Sequence, residues 1–169
     1  YLNAAVFFLK PSSSIVDFSV IDSCGGDVHH EIELVLKIGP NNEPSHMALG
    51  LDLTKRSIQD HLKEKSLPWA EAKAFTGSAV LGDWVEYNPK AEYLLEVNGN
   101  EVQRGSLAVM SWTPKQLIAK LANWAPIRAG DILFTGTPSG VGPLSKNDEV
   151  KASLYIEGEH ILSHHAKCV

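Results

Sequence analysis

The sequence predicts a strand-rich single domain carrying two or three short helices. Three observations point there. Short apolar runs are cut by clusters of Gly, Pro, Ser and Asn; one hairpin signature, Asn98-Gly99, joins two such runs; and only two stretches place apolar residues at helical spacing. At 169 residues the chain suits one domain over 1–169 and leaves little room for a second.

In chain order, residues 6–9 (Val-Phe-Phe-Leu) read as a strand stopped by Lys10-Pro11 and three serines. Residues 14–21 read as a second, stopped by Cys24-Gly25-Gly26-Asp27, and residues 29–38 alternate well enough for a third, ended by Gly39-Pro40-Asn41-Asn42. A helix is predicted over 54–65, where Ile58, His61 and Leu62 share a face and Ser66-Leu67-Pro68 closes the run. Residues 93–97 and 101–104 flank Asn98-Gly99, a pair that tolerates the positive φ of a type I′ turn. A second helix is predicted over 113–123, with Thr113 as cap, Pro114 in the first position and Leu117, Ile118 and Leu121 as an apolar stripe. Further strands are predicted at 132–135, 150–156 and 161–164. The chain shows no internal repeat, low-complexity stretch or linker.

Composition narrows the function. Hydrophobic residues at 44% and charged residues at 21% are ordinary for a folded chain, which excludes disorder. Fifteen basic against twenty acidic residues, a net charge of -5 with no Lys/Arg cluster, argue against nucleic acid or an anionic membrane as partner. Apolar runs such as Ala4 to Leu9 are far too short to span a bilayer. Cys24 and Cys168 lack metal-type spacing and fit a reducing, cytoplasmic setting. With Tyr1 first, no basic segment ahead of Ala4 and no small-residue cleavage site after Leu9, no signal peptide is expected, and the native start is expected to lie upstream.

The most informative segment is His29-His30-Glu31-Ile32-Glu33-Leu34. On a strand, Glu31 and Glu33 face the same side roughly 7 Å apart, while Ile32, Leu34 and Leu36 fill the other face. Two carboxylates side by side in an apolar strand repel each other unless a cation or proton offsets them. A divalent metal would do so; a solvated face with two exposed glutamates is the bland alternative. Asp52, set between Leu51 and Leu53, is a third candidate carboxylate and could equally cap the helix that follows. Three carboxylates without a Cys or His triad favour a hard ion, Mg²⁺ or Mn²⁺, over zinc.

Arg56 and Gln59 lie three apart on one helix face, and Lys73 follows Pro68-Trp69. Beside a metal they would supply donors to an oxyanion or carboxylate; alone they would be surface groups. The loop Thr135-Gly136-Thr137-Pro138-Ser139-Gly140-Val141-Gly142 matches neither the P-loop nor the dinucleotide-binding pattern. Its N–H groups and hydroxyls could hold a carboxylate, or it could be a tight turn. None of the seven histidines has a metal or triad partner by spacing, and the serines lack a nucleophile elbow. Cys24, beside two glycines, could be exposed, but nothing marks it as a nucleophile.

Taken together and in order, Phe7 to Pro11, His29 to Leu34, Leu51 to Arg56, Pro68-Trp69 with Lys73 and Phe75, Val97-Asn98-Gly99, and Gly130 to Gly142 resemble the fumarylacetoacetate hydrolase family. The likeness covers about residues 7–156 and is nearest to its small acylpyruvate hydrolase and oxaloacetate decarboxylase subgroup. It implies a mixed, mostly β roll with a few short helices, usually a homodimer. It also implies a Mg²⁺ or Mn²⁺ held by residues matching Glu31, Glu33 and Asp52, and oxyanion and substrate donors matching Arg56, Gln59 and Lys73. Thr137 matches the threonine that binds the substrate carboxylate. The implied substrate is a small 2-oxo acid whose enolate, released on C–C cleavage, is stabilised by the metal and Lys73.

Two departures stand out. The family carries an N-terminal Gly-x-Asn-Tyr run and a His/Glu pair on a lid helix, which no residue here matches, so that lid segment is expected to be missing from this chain. The stretch between Gly39 and Leu49 is also too short for the family's helix. The leading expectation is a metal-dependent hydrolase of an acylpyruvate such as fumarylpyruvate or acetylpyruvate. Oxaloacetate decarboxylation and 2-hydroxydiene-dioate isomerisation are alternatives within the family. Outside catalysis, a dicarboxylate-binding relative or a structural Ca²⁺ module would share the acidic residues.

Overall fold

Asn98 and Gly99 both take positive φ, 53° and 78°, and the hairpin they close is the one the sequence predicts. The structure, a computed structural model, describes residues 5–169. The start of the apolar run at Ala4 lies outside the described residues, and so does the side chain of Cys24 with its expected exposure. The first strands are β1 (Ile15–Val16), β2 (Val20–Ile21), β3 (Val28–His30), β4 (Ile32–Ile38), β5 (Pro44–Asp52), β6 (Thr54–Lys55), β7 (Ala79–Leu81) and β8 (Val85–Glu86). The rest are β9 (Ala91–Val97), β10 (Asn100–Ser106), β11 (Ile132–Phe134), β12 (Gly142–Pro143), β13 (Glu149–Ile156) and β14 (Glu159–Cys168). Among the described residues, three α-helices, α1 (Arg56–Glu64), α2 (Ala70–Lys73) and α3 (Pro114–Ala122), complete a mostly β fold.

These strands form three sheets. The first runs β1-β7-β5-β4-β11, with β8 also on β5; the second runs β10-β9-β13-β14-β2; the third, small one runs β12-β3-β6. Apolar inner faces bring the two large sheets together. Ile32, Leu34 and Leu36 of β4 and Met47, Leu49 and Leu51 of β5 share one core with Tyr93 and Leu95 of β9 and Val150, Ala152 and Leu154 of β13. Each buried Leu or Ile there contributes about 1.5–3 kcal/mol. None of the helices described is long and apolar enough to cross a membrane.

Several predicted elements change form. Residues 6–9 make no strand; they have no sheet partner and line a cavity. The expected strand at 14–21 becomes β1 and β2, which pair with different sheets. The one predicted over 29–38 breaks at Glu31, where the chain leaves the small sheet for the large one. The first helix starts at Arg56 rather than Thr54, because Thr54 and Lys55 pair with His29 and Val28. α3 forms as predicted, with Thr113 and Gln116 closing a reciprocal capping box.

Candidate active site

Two changes of sheet set the site. β3 hands over to β4 at Glu31, and β5 hands back to β6 at Leu53, just after Asp52. The Asp52 N–H donates to the Glu31 carbonyl (2.9 Å), locking the two crossings together. Glu33, two residues into the large sheet, pairs with Gly50 of β5. One carboxylate oxygen each from Glu31, Glu33 and Asp52 then lie within 4.8 Å of one another, and all three residues are buried. Asp52 does not cap α1; Asp27 does, its Oδ1 accepting from the Ser57 N–H at 2.9 Å.

Cations surround this cluster unevenly. Lys73, at the end of α2, donates to Glu31 Oε2 (2.9 Å), Asp52 Oδ2 (2.7 Å) and Thr54 Oγ1 (2.6 Å), which uses all three ammonium protons. Arg56, first residue of α1, donates to Glu31 Oε1 (2.5 Å) and to Gln59 Oε1 (2.6 Å). Lys10 donates to the backbone carbonyls of Lys73 and Ser78, the latter at 2.9 Å. Its ammonium also ion-pairs with Asp52 Oδ1 at 2.8 Å, outside hydrogen-bonding geometry, so that buried oxygen accepts no hydrogen bond. Glu33 accepts the Gly136 N–H at 2.7 Å, and among the described residues it forms no ion pair.

The titration of the two glutamates follows this geometry. Burial alone would raise Glu31, but Lys73 and Arg56 outweigh it and hold its carboxyl below the usual range. Glu33 is pushed up to about 8, by burial first and then by the Asp52 and Glu31 charges, with the Gly136 N–H opposing. Burial likewise lowers Lys10 in spite of Asp52. A divalent cation fits this set: three buried oxygen donors converge, one of them without a cationic partner, and hard oxygen ligands suit Mg²⁺ or Mn²⁺.

The cluster lies in a cavity of about 530 Å³, a size that suits a small molecule. Arg56, Gln59, Lys73 and Thr137 line it, so the structure places these four beside the three carboxylates, while the loop beyond Thr137 lies outside the lining. Thr137 has its hydroxyl engaged on both sides, donating to the Ile32 carbonyl (2.9 Å) and accepting from Gln103 Nε2 (2.8 Å). Sequence reasoning missed Lys10, Phe8, Lys63 and Gln103. Phe8 covers the Lys73 ammonium, 5.0 Å from the ring centroid, and Lys63 lines the cavity while donating to Gln59 Oε1 at 3.1 Å. Lys10 and Phe8 stand in the run read as a strand and its stop, where a lysine interrupting an apolar stretch was the available signal.

A mostly β domain with a buried Glu-Glu-Asp cluster on the floor of a cationic cavity defines the class, and comparison supplies the family. Residues 2–165 match the family described as fumarylacetoacetate (FAA) hydrolase C-terminal. The oxaloacetate tautomerase YcgM of Escherichia coli is 36% identical over 171 residues, covering 88% of this chain and 77% of that protein. A mitochondrial oxaloacetate decarboxylase of Dictyostelium discoideum is 30% identical over 167 residues, covering 88% and 77%. The crystal structure of fumarylpyruvate hydrolase from Pseudomonas aeruginosa in complex with Mn²⁺ and pyruvate superposes with a TM-score of 0.84 at 28% identity, covering 97% of this chain and 78% of that one. The chain belongs to the fumarylacetoacetate hydrolase family.

Proposed function

We propose that this protein is a divalent-metal-dependent enzyme acting on a small 2-oxo acid, with hydrolytic cleavage of an acylpyruvate as its leading reaction. The observation that carries this reading is the convergence of Glu31, Glu33 and Asp52 within 4.8 Å in the cavity that Lys73 and Arg56 also line. Those three side chains would hold Mg²⁺ or Mn²⁺. Bound there, the ion would act as a Lewis acid toward negative charge developing on a 2-oxo acid oxygen.

The chain's own groups then have separable tasks. Lys73 adds a positive charge next to the developing oxyanion, in a buried setting where its effect is strong. Arg56 and Gln59, fixed to each other at 2.6 Å, orient the substrate from the helix side. Thr137 takes the substrate carboxylate through its main chain, since its hydroxyl proton already goes to Ile32. In the net reaction water adds hydroxide to the acyl carbon, the C–C bond electrons pass to the pyruvate unit as its enolate, and a proton completes pyruvate.

Enol–keto exchange or decarboxylation of oxaloacetate is the second reading. Four cationic side chains, Lys10, Arg56, Lys63 and Lys73, line the cavity against three carboxylates, an excess of positive charge that suits a carboxylate substrate, oxaloacetate included. The names of the bacterial and slime-mould relatives support the same reading. Incubating the protein with Mn²⁺ and either acetylpyruvate or oxaloacetate separates the two. Pyruvate and acetate from acetylpyruvate support hydrolysis; turnover of oxaloacetate alone supports the second reading; turnover of neither contradicts both.

A further inference from the structure

Gln103 is 2% exposed yet sits on a hairpin strand between half-buried Val102 and exposed Arg104. It follows a bulge: β10 pairs Glu101 with Glu96 but Gln103 with Leu95, so Val102 is an extra residue. Bulges re-aim the side chain beside them. Here the amide makes four hydrogen bonds. Oε1 accepts from the Ile32 N–H (3.1 Å) and faces His30 Nδ1 (2.8 Å), which places the imidazole proton on Nδ1. Nε2 donates to Thr137 Oγ1 (2.8 Å) and to the Pro138 carbonyl (3.0 Å).

These bonds close a ring. Thr137 Oγ1 donates back to the Ile32 carbonyl at 2.9 Å, so Ile32, Gln103 and Thr137 hold one another through both main-chain polar groups of Ile32. The same loop sends the Gly136 N–H to Glu33 Oε2. It is also seated directly on the bulge: Gly140 has φ +101°, and a Cβ there would lie 2.0 Å from the Val102 carbonyl. No bond of the Gln103 amide goes to its own hairpin; all four go to the acidic strands or the loop over them. A buried amide with every donor and acceptor matched fixes geometry, because losing any one partner leaves a desolvated polar group unpaired.

We infer that Gln103 is a positioning residue, one that holds the Thr137 loop at the height over Glu31 and Glu33 where it meets the substrate carboxylate. This rests on the reading of the site as a metal-dependent 2-oxo acid enzyme. Gln103 touches neither substrate nor metal; it acts through Thr137.

Gln103→Glu tests it selectively, keeping the acceptor toward Ile32 and His30 and replacing the donor toward Thr137 and Pro138. Pyruvate serves as the 2-oxo acid probe on the Mn²⁺-loaded protein. The expected result is pyruvate affinity weakened at least tenfold, with Mn²⁺ affinity within about threefold of wild type. On a Thr137→Val background, Q103E is expected to add less than twofold. Backbone ¹⁵N order parameters at Gly136, Thr137, Ser139 and Gly140 are expected to fall from about 0.85 toward 0.6. Gln103→Met, apolar and similar in length, gives the same readouts if Q103E does not fold. Unchanged pyruvate affinity, parallel loss of Mn²⁺ and pyruvate binding, or fully multiplicative effects with T137V would overturn the inference. If the wild-type protein binds neither Mn²⁺ nor pyruvate, the functional reading fails separately, and the order parameters decide the role of Gln103: loosening confined to the loop upholds it, and an unchanged loop refutes it.

Discussion

Lys73 Nζ lies 2.7 Å from Asp52 Oδ2, joining a four-residue helix to the end of the central strand 21 positions earlier. The same ammonium reaches Glu31 at 2.9 Å, so one buried cation spans two of the three carboxylates. Removing one partner of a buried pair leaves the other charge uncompensated, at a cost of about 3–5 kcal/mol. Lys73→Met is therefore expected to lower the melting temperature in EDTA sharply, to regain more of it with Mn²⁺ than wild type does, and to lose most turnover. Paired thermal melts with EDTA and Mn²⁺ check the first two outcomes.

Among the described residues, Glu33 differs from its neighbours in having only a backbone N–H as direct partner. Glu33→Gln keeps the shape and removes a group that ionises without a cationic partner. The variant is expected to unfold cooperatively and at least as late as wild type without metal, yet to bind Mn²⁺ at least 100-fold more weakly. Calorimetric titration and a denaturant melt measure the two effects.

The pH dependence follows from the same residue. With a folded value near 8 against about 4.5 for an ordinary glutamate, the native state binds the proton more tightly than the unfolded chain. Stability from this group is full below about 4.5 and is lost as pH rises through about 8. Metal binding must displace that proton, so Mn²⁺ affinity is expected to climb with pH by up to about tenfold per unit until it levels near 8. Melts in EDTA from pH 5 to 9 should show the stability loss in wild type and a flatter profile in E33Q.

Lys10 is the least conspicuous member of the site. It ties the segment at 5–10 to Asp52 and to the backbone of Lys73 and Ser78. Lys10→Met is expected to destabilise the fold by about 1–3 kcal/mol, because the Lys73 and Ser78 carbonyls lose a donor while Asp52 keeps Lys73, and to raise KM more than it lowers kcat, because the segment carrying Phe8 loses its anchor. By contrast, Thr113→Ala removes only the α3 cap, at about 1 kcal/mol, and should leave kinetic constants unchanged. Steady-state kinetics on both variants make the comparison.

Local chemistry was the legible part of the chain. The Asn98-Gly99 hairpin, the Thr113-Pro114 helix start and the same-side placement of Glu31 and Glu33 each follow from short-range rules, and each is present. The break at Glu31 was not legible, because alternation runs through it while the strand's pairing partners change. β5 was missed for a related reason: residues 47–52 are buried on both faces, which erases the period-two signal in the strand that carries Asp52. Residues 6–9 have strong strand propensity yet pair with no strand and line the cavity instead. Lys10 and Gln103 act across 42 to 73 positions from their partners Asp52, His30 and Ile32, separations that spacing rules do not reach.

The central claim is a single divalent ion on Glu31, Glu33 and Asp52. Isothermal titration of wild type and Glu33→Gln with Mn²⁺, followed by anomalous diffraction from Mn²⁺-soaked crystals, tests it most directly. The account predicts one ion per chain, with density between those three carboxylates, and near-complete loss of binding in the variant. Binding that survives E33Q, or density away from all three side chains, would contradict it.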